Sequence, residues 1–148
     1  MAADSTLTSF GTDAVEAHDK IRATIAEVRR ALEALDTTVP DPRVHARIQR
    51  HLGTLEVHLQ AHFGAEEVAG LHDRLKDVMN ESAGELSRLQ QEHQPLLADL
   101  QRLRNECHLC SPVNAERLHG ELGPLLVGLE SHEKAENEIM SLAFGPPR

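Results

Sequence analysis

The sequence predicts an all-α fold, an up-down-up-down four-helix bundle with a short helix between helices two and three. Three observations lead there. Leu, Ala and Glu are abundant in a chain of 148 residues that lacks Tyr and Trp, a composition that favours helices over sheet. Glycines and prolines gather near the expected ends of elements. Apolar residues also recur in steps of 4 and 3 along four separate stretches, the spacing that lines one face of a helix. The length suits a single domain over 1–148, with a core at about 12–144 and enough chain to bury a substantial interior.

Taken in order, residues 1–11 read as a loose polar lead-in with Phe10 its one large apolar anchor, and Thr12 or Asp13 caps helix one. That helix runs to about Leu35 on the seam Ala14, His18, Ile21, Ile25, Val28, Leu32, Leu35. The segment from Asp36 to Pro42 is a turn, with Pro42 at the first position of helix two. Helix two carries Ile48, Leu52, Leu55, Leu59, His62 and Glu66, and stops near Ala69-Gly70. Leu71, Leu75 and Val78 mark the short connecting helix, which covers one end of the bundle. Helix three starts near Ser82 on the seam Leu86, Leu89, His93, Leu96, Leu100, Leu103, Cys107, with Pro95 expected to kink it. After the turn Cys107-His108-Leu109-Cys110, Ser111-Pro112 opens helix four. Its seam is Leu118, Leu122, Leu125, Leu129, His132, Glu136, Ile139; Pro124 kinks it, and Gly145-Pro146-Pro147 ends it.

Each apolar seam holds one histidine, and two seams add a carboxylate one turn later: His62 with Glu66, and His132 with Glu136. In an antiparallel bundle the start of helix one, the end of helix two, the start of helix three and the end of helix four share one end. His18, His62, His93, His132, Glu66 and Glu136 therefore fall in one layer of the core. A buried carboxylate costs several kcal/mol unless it is paired or coordinates a metal. Four imidazoles and two carboxylates in a dry layer call for cations, and two His-x3-Glu pairs suit two metals better than one. Nitrogen and oxygen ligands without thiolate fit iron, manganese or zinc. Any one of these histidines alone reads more simply as a hydrogen-bonded core residue; four beside two carboxylates do not.

The bulk properties narrow the partners. A net charge of −9 and pI near 5.5 argue against nucleic acid or an anionic membrane. No apolar run approaches the ~20 residues of a bilayer span, and the N-terminus has no basic-plus-apolar leader pattern, so a cytoplasmic location is expected. The two cysteines are no disulfide framework there. Cys107 falls on a seam and reads as a buried structural thiol, with a Cys107/Cys110 redox pair the lesser alternative. His58 reads as flanking the seam, partly solvated, with a ligand or supporting role the alternative. His45, His51, His72, His108 and His119 read as surface or helix-end residues, and Glu67 and Glu133 as solvated, with a supporting role at the metal the alternative.

His18, His62-Phe63-Gly64-Ala65-Glu66-Glu67, Glu92-His93 and His132-Glu133-Lys134-Ala135-Glu136 together resemble the hemerythrin-like (HHE cation-binding) family over roughly 12–144. The resemblance implies a non-haem di-iron centre: His18 and His62 terminal ligands of one iron, His93 and His132 of the other, Glu66 and Glu136 bridging. Oxygen-carrying members have a second histidine one turn after the first on helix three, where this chain has Leu97. That departure turns the expectation from reversible oxygen carriage toward binding or sensing of O2, NO or peroxide. The other readings are a catalase-like enzyme and a structural metal-binding bundle without turnover. Leu89, Leu96, Leu97, Leu125 and Leu129 would form the surrounding apolar pocket.

Overall fold

The computed structural model describes the backbone of residues 5–144 and the side chains from residue 14 onward. Among these every regular element is helical, and the α-helices are five: α1 Ser5–Glu33, α2 Pro42–Ala69, α3 Leu71–Val78, α4 Ala83–Glu106 and α5 Pro112–Phe144. A single 3-10 turn, Asn80–Ser82, leads into α4. Helix α1 packs on α2 and α5, and α4 on α2, α3 and α5.

Local chemistry sets most of the ends. Asp41 caps α2 by accepting the Arg43 backbone N–H at 2.9 Å, with Pro42 at the first helical position. Gly70 adopts φ 61°, ψ 35° after α2, a left-handed conformation that a Cβ would strain. The Ser111 hydroxyl accepts the Asn114 N–H at 3.1 Å, and the Asn114 amide donates to the carbonyls of Glu106 and Leu109. These bonds stitch the α4–α5 turn.

Helix α1 differs from the sequence expectation. It begins at Ser5, not at a cap on Thr12 or Asp13, so most of the expected lead-in is helical. Leu7 and Phe10 extend the 3-4 spacing back from Ala14, and that periodicity outweighs the interruption at Gly11. The Phe10 side chain and the Gly145-Pro146-Pro147 stop lie outside the described residues. Helices α4 and α5 continue through Pro95 and Pro124, both on exposed positions where a missing N–H is cheapest.

The interior has two apolar clusters. The larger joins Ile21, Ile25, Ile48, Leu52, Leu55, Leu59, Leu100, Leu122 and Leu129 with their neighbours. The smaller joins Ala14, Leu71, Leu75, Leu86, Leu89, Ile139 and Met140. Along α1, α2, α4 and α5 the seam histidines fall between members of these clusters or at the margin of the larger one, so a polar layer separates two dry regions. Helix α3 closes the smaller cluster with Leu71 and Leu75. Two residues expected at the surface are buried: His72 on α3, and His45 at the far end of α2. Val78 is exposed instead, because the inward face of α3 runs through Leu71, His72 and Leu75.

Candidate metal centre

The structure brings His18, His62, Glu66, His93, His132 and Glu136 together, each no more than 4% exposed. His18 and His132 are held by hydrogen bonds at Nδ1. His18 Nδ1–H donates to Asn137 Oδ1 at 2.6 Å, and His132 Nδ1–H to Glu92 Oε1 at 3.0 Å. His93 Nδ1 lies 3.6 Å from Glu67 Oε1, beyond hydrogen-bond reach. A partner at Nδ1 fixes the tautomer and leaves the Nε2 lone pair facing inward, which is how metal-ligating histidines are oriented.

The carboxylates divide the layer into two halves. Glu66 Oε1 is 2.6 Å from His62 Nε2, while Glu66 Oε2 is 3.2 Å from His93 Nε2 and 3.6 Å from His72 Nε2. Glu136 Oε1 is 3.2 Å from His18 Nε2 and 3.1 Å from His62 Nε2, and Glu136 Oε2 is 3.4 Å from His132 Nε2. Each carboxylate thus turns one oxygen to each half. Two sets of donor atoms lie within 4.8 Å of one another: His18, His62, Glu66, Glu136, and Glu66, His72, His93, Glu136. His132 sits beside the second set, its ring centroid 5.2 Å from that of His93. Phe63 stacks on His93 with ring centroids 3.9 Å apart and forms a dry wall there.

The fit to cations rests on the atoms left over. Among the described residues, both Glu66 oxygens, Glu136 Oε2 and the Nε2 atoms of His72, His93 and His132 are buried without a hydrogen bond of normal geometry. Such groups are costly in a core. His18 Nε2 and His62 Nε2 are 2.8 Å apart, so both cannot present lone pairs unless a proton or cation lies between them. A cation held in the layer would give such atoms the partner that the protein does not supply.

Electrostatics sort the histidines by their contact with the carboxylates. Burial lowers the His62 imidazole, but contacts with Glu136 and Glu66 outweigh it and raise the group to about 10. His18 and His132 are raised in the same way, against burial, chiefly by Glu136. Burial lowers His72 to about 4, and burial with the neighbouring His132 lowers His93. Burial pushes the Glu66 carboxyl well up, whereas close contacts with His132, His18 and His62 overcome burial and hold Glu136 down.

Sequence reasoning missed His72, Asn137 and the hold of Glu92 on His132, and gave Glu133 a supporting role only as the alternative. His72 belongs to the second donor set; the signal was its position three before Leu75, on the inward face of α3. Glu133, expected in solvent, is 7% exposed, with Oε2 3.8 Å from His18 Nδ1 and a carboxyl raised by burial. Its signal was its place three before Glu136. Asn137, one residue after Glu136, holds His18 and carried no signal of its own. His58 is half-buried beside a cavity of about 290 Å3 between α1 and α2. Cys107 is buried, its thiol pushed up to about 12 by burial, and Cys110 is exposed; both are free. No helix among the described residues is long and apolar enough to cross a membrane.

A helical protein whose buried core layer is built of imidazoles and shared carboxylates is, as a class, a cation-binding helical domain. The family model of the hemerythrin HHE cation binding domain matches residues 13–144, and the chain belongs to that family. No curated protein and no solved structure matches it.

Proposed function

We propose that this chain is a non-haem di-iron protein that binds or senses a small oxygen-derived ligand, O2, NO or peroxide. The four long helices are read as an up-down-up-down bundle forming one domain, with α3 across its metal-bearing end. His18 and His62 hold one ion, His93 and His132 the other, and Glu66 and Glu136 bridge them. The observation that carries this reading is the way each carboxylate splits its oxygens between the halves, at 2.6 and 3.2 Å for Glu66 and 3.2 and 3.4 Å for Glu136. Iron is favoured over manganese or zinc by the family resemblance.

A bridged pair of irons supplies two-electron exchange with a bound ligand. The chain's residues set the conditions for it. Asn137 and Glu92 hold the His18 and His132 rings in register. Leu89, Leu125 and Leu129, all buried, keep bulk water from the layer. The cavity of about 290 Å3 is lined by Ala14, Ala17, Ala61 and Ala65 with Glu16, Lys20 and His58 and reaches His62, an approach with ample room for a diatomic or peroxide. A cytoplasmic site of action fits a centre that must be reduced to take up its ligand.

Metal content and visible absorption test the reading, measured on anaerobically reduced protein before and after O2, NO or peroxide. Close to two irons per chain, with a band that appears on oxidation and is lost in His62→Ala, is the expected result. Zinc alone, or no metal after expression in iron-replete medium, overturns it. A steady-state peroxide assay then separates stoichiometric binding from a catalase-like turnover.

A further inference from the structure

We propose that His72, carried by the short helix α3, is a direct ligand of the second metal. This rests on the reading of the layer as a two-metal centre and adds a ligand to it.

The argument starts from the donors in each half. His18 and His62 converge closely with one oxygen of each carboxylate. In the second half His93 Nε2 approaches Glu66 Oε2, while His132 Nε2 reaches only Glu136 Oε2. Leu97, one turn beyond His93, offers no donor. His72 enters from outside the four long helices. It is 2% exposed, its ring centroid lies 5.3 Å from that of His93 at 68°, and its Nε2 faces Glu66 Oε2 at 3.6 Å. That distance is too long for a hydrogen bond, and His72 Nε2 is left without one. What sets this nitrogen apart is its company, since it lies within 4.8 Å of ligand atoms of Glu66, His93 and Glu136. Two donors 3.6 Å apart and pointing at a common space are instead what two ligands of one ion look like, since each sits ~2.0–2.2 Å from the metal.

The backbone explains how so short a helix reaches the layer. Gly70, in the left-handed conformation, turns the chain immediately after α2, and Arg74 N–H bonds to the Gly70 carbonyl at 3.0 Å to start α3. Leu71 and Leu75 then anchor α3 in the smaller apolar cluster. With both neighbours fixed, the His72 ring is held over the carboxylate.

The test uses Co2+ titration of the metal-stripped full chain. The wild type is expected to take up two Co2+. In His72→Cys, a sulfur-to-cobalt charge-transfer band should appear in the near ultraviolet. The wild type should lack it despite Cys107 and Cys110, since Cys107 packs in the larger cluster away from the centre. In His72→Gln, whose helix content is checked by circular dichroism, the second Co2+ should bind at least about tenfold more weakly, with the first unchanged. His72→Gln decides the matter if His72→Cys does not fold. Two Co2+ bound with wild-type affinity by His72→Gln, or bound by His72→Cys without a sulfur band, overturns the role of His72 alone. A wild type that takes up no metal overturns the two-metal reading and this role with it.

Discussion

The two regions of this bundle solve opposite problems. In the larger apolar cluster Leu52, Leu55 and Leu59 are fully buried against Ile21, Leu100 and Leu122, and dispersion and dehydration favour the folded chain with no polar group to satisfy. One or two turns along the same helices, the seam positions hold imidazoles and carboxylates, and both Glu66 oxygens, Glu136 Oε2 and the Nε2 atoms of His93 and His132 lack hydrogen bonds. The backbone spacing is the same in both regions. What differs is that the first is complete as protein, whereas the second is completed by cations. Stability should therefore reside mainly in one region and ligand chemistry in the other.

The most severe way to break this division is Glu66→Ala, which removes an oxygen from both halves at once. Metal analysis should show the loss of both ions, with helical content largely kept; retention of two irons would mean that Glu66 does not bridge. Leu55→Ala should do the converse. Truncating a fully buried leucine should lower unfolding free energy by about 2–5 kcal/mol in denaturant titration, while metal per chain stays unchanged.

Acidity sharpens the contrast within the metal-free protein. His62 is raised from 6.5 to about 10, so its stabilising contribution is complete below pH 6.5 and is lost as pH rises through about 10. His72 is lowered from 6.5 to about 4, so the unfolded chain takes up a proton there first, and stability falls as pH drops from 6.5 toward 4. Thermal melts across this range should show a maximum between the two flanks, and His62→Gln should flatten the alkaline one. In the loaded protein the alkaline flank should shrink too, because a metal-bound His62 carries no proton to lose. The smallest expected effect is Asn137→Ala. Freeing the His18 ring should weaken metal binding about 10–100-fold in chelator competition and leave the apolar region untouched.

Much of this was legible in the amino-acid sequence because periodicity and polarity say the same thing on four helices. His18, His62, His93 and His132 stand out as the one histidine on each apolar seam, and Glu66 and Glu136 follow one turn after a histidine. His72 was illegible for a physical reason. Helix α3 spans only 8 residues, too few for a seam to establish which residues face inward, and Val78 competed with His72 for the face. Glu133 was hidden beside a stronger signal, since a glutamate adjacent to a seam histidine reads as solvent-facing until the packing of α1 against α5 covers it. Residues 5–11 were misread because polar composition and Gly11 spoke louder than Leu7 and Phe10.

The elbow at Gly70 also bears on how the protein assembles. His18 and His62 are separated by 44 positions, and His62 and Glu136 by 74, so those approaches wait on distant chain segments finding each other. His62, Glu66 and His72 lie within a single short run of sequence, where loop closure is inexpensive and contacts form early. A chain whose α1 and α5 have opened loses His18, His132 and Glu136 together, yet keeps His62, Glu66 and His72 on one hinge. The part of the polar layer that a nascent or partly unraveled molecule retains is then the 62–72 elbow rather than the whole bundle.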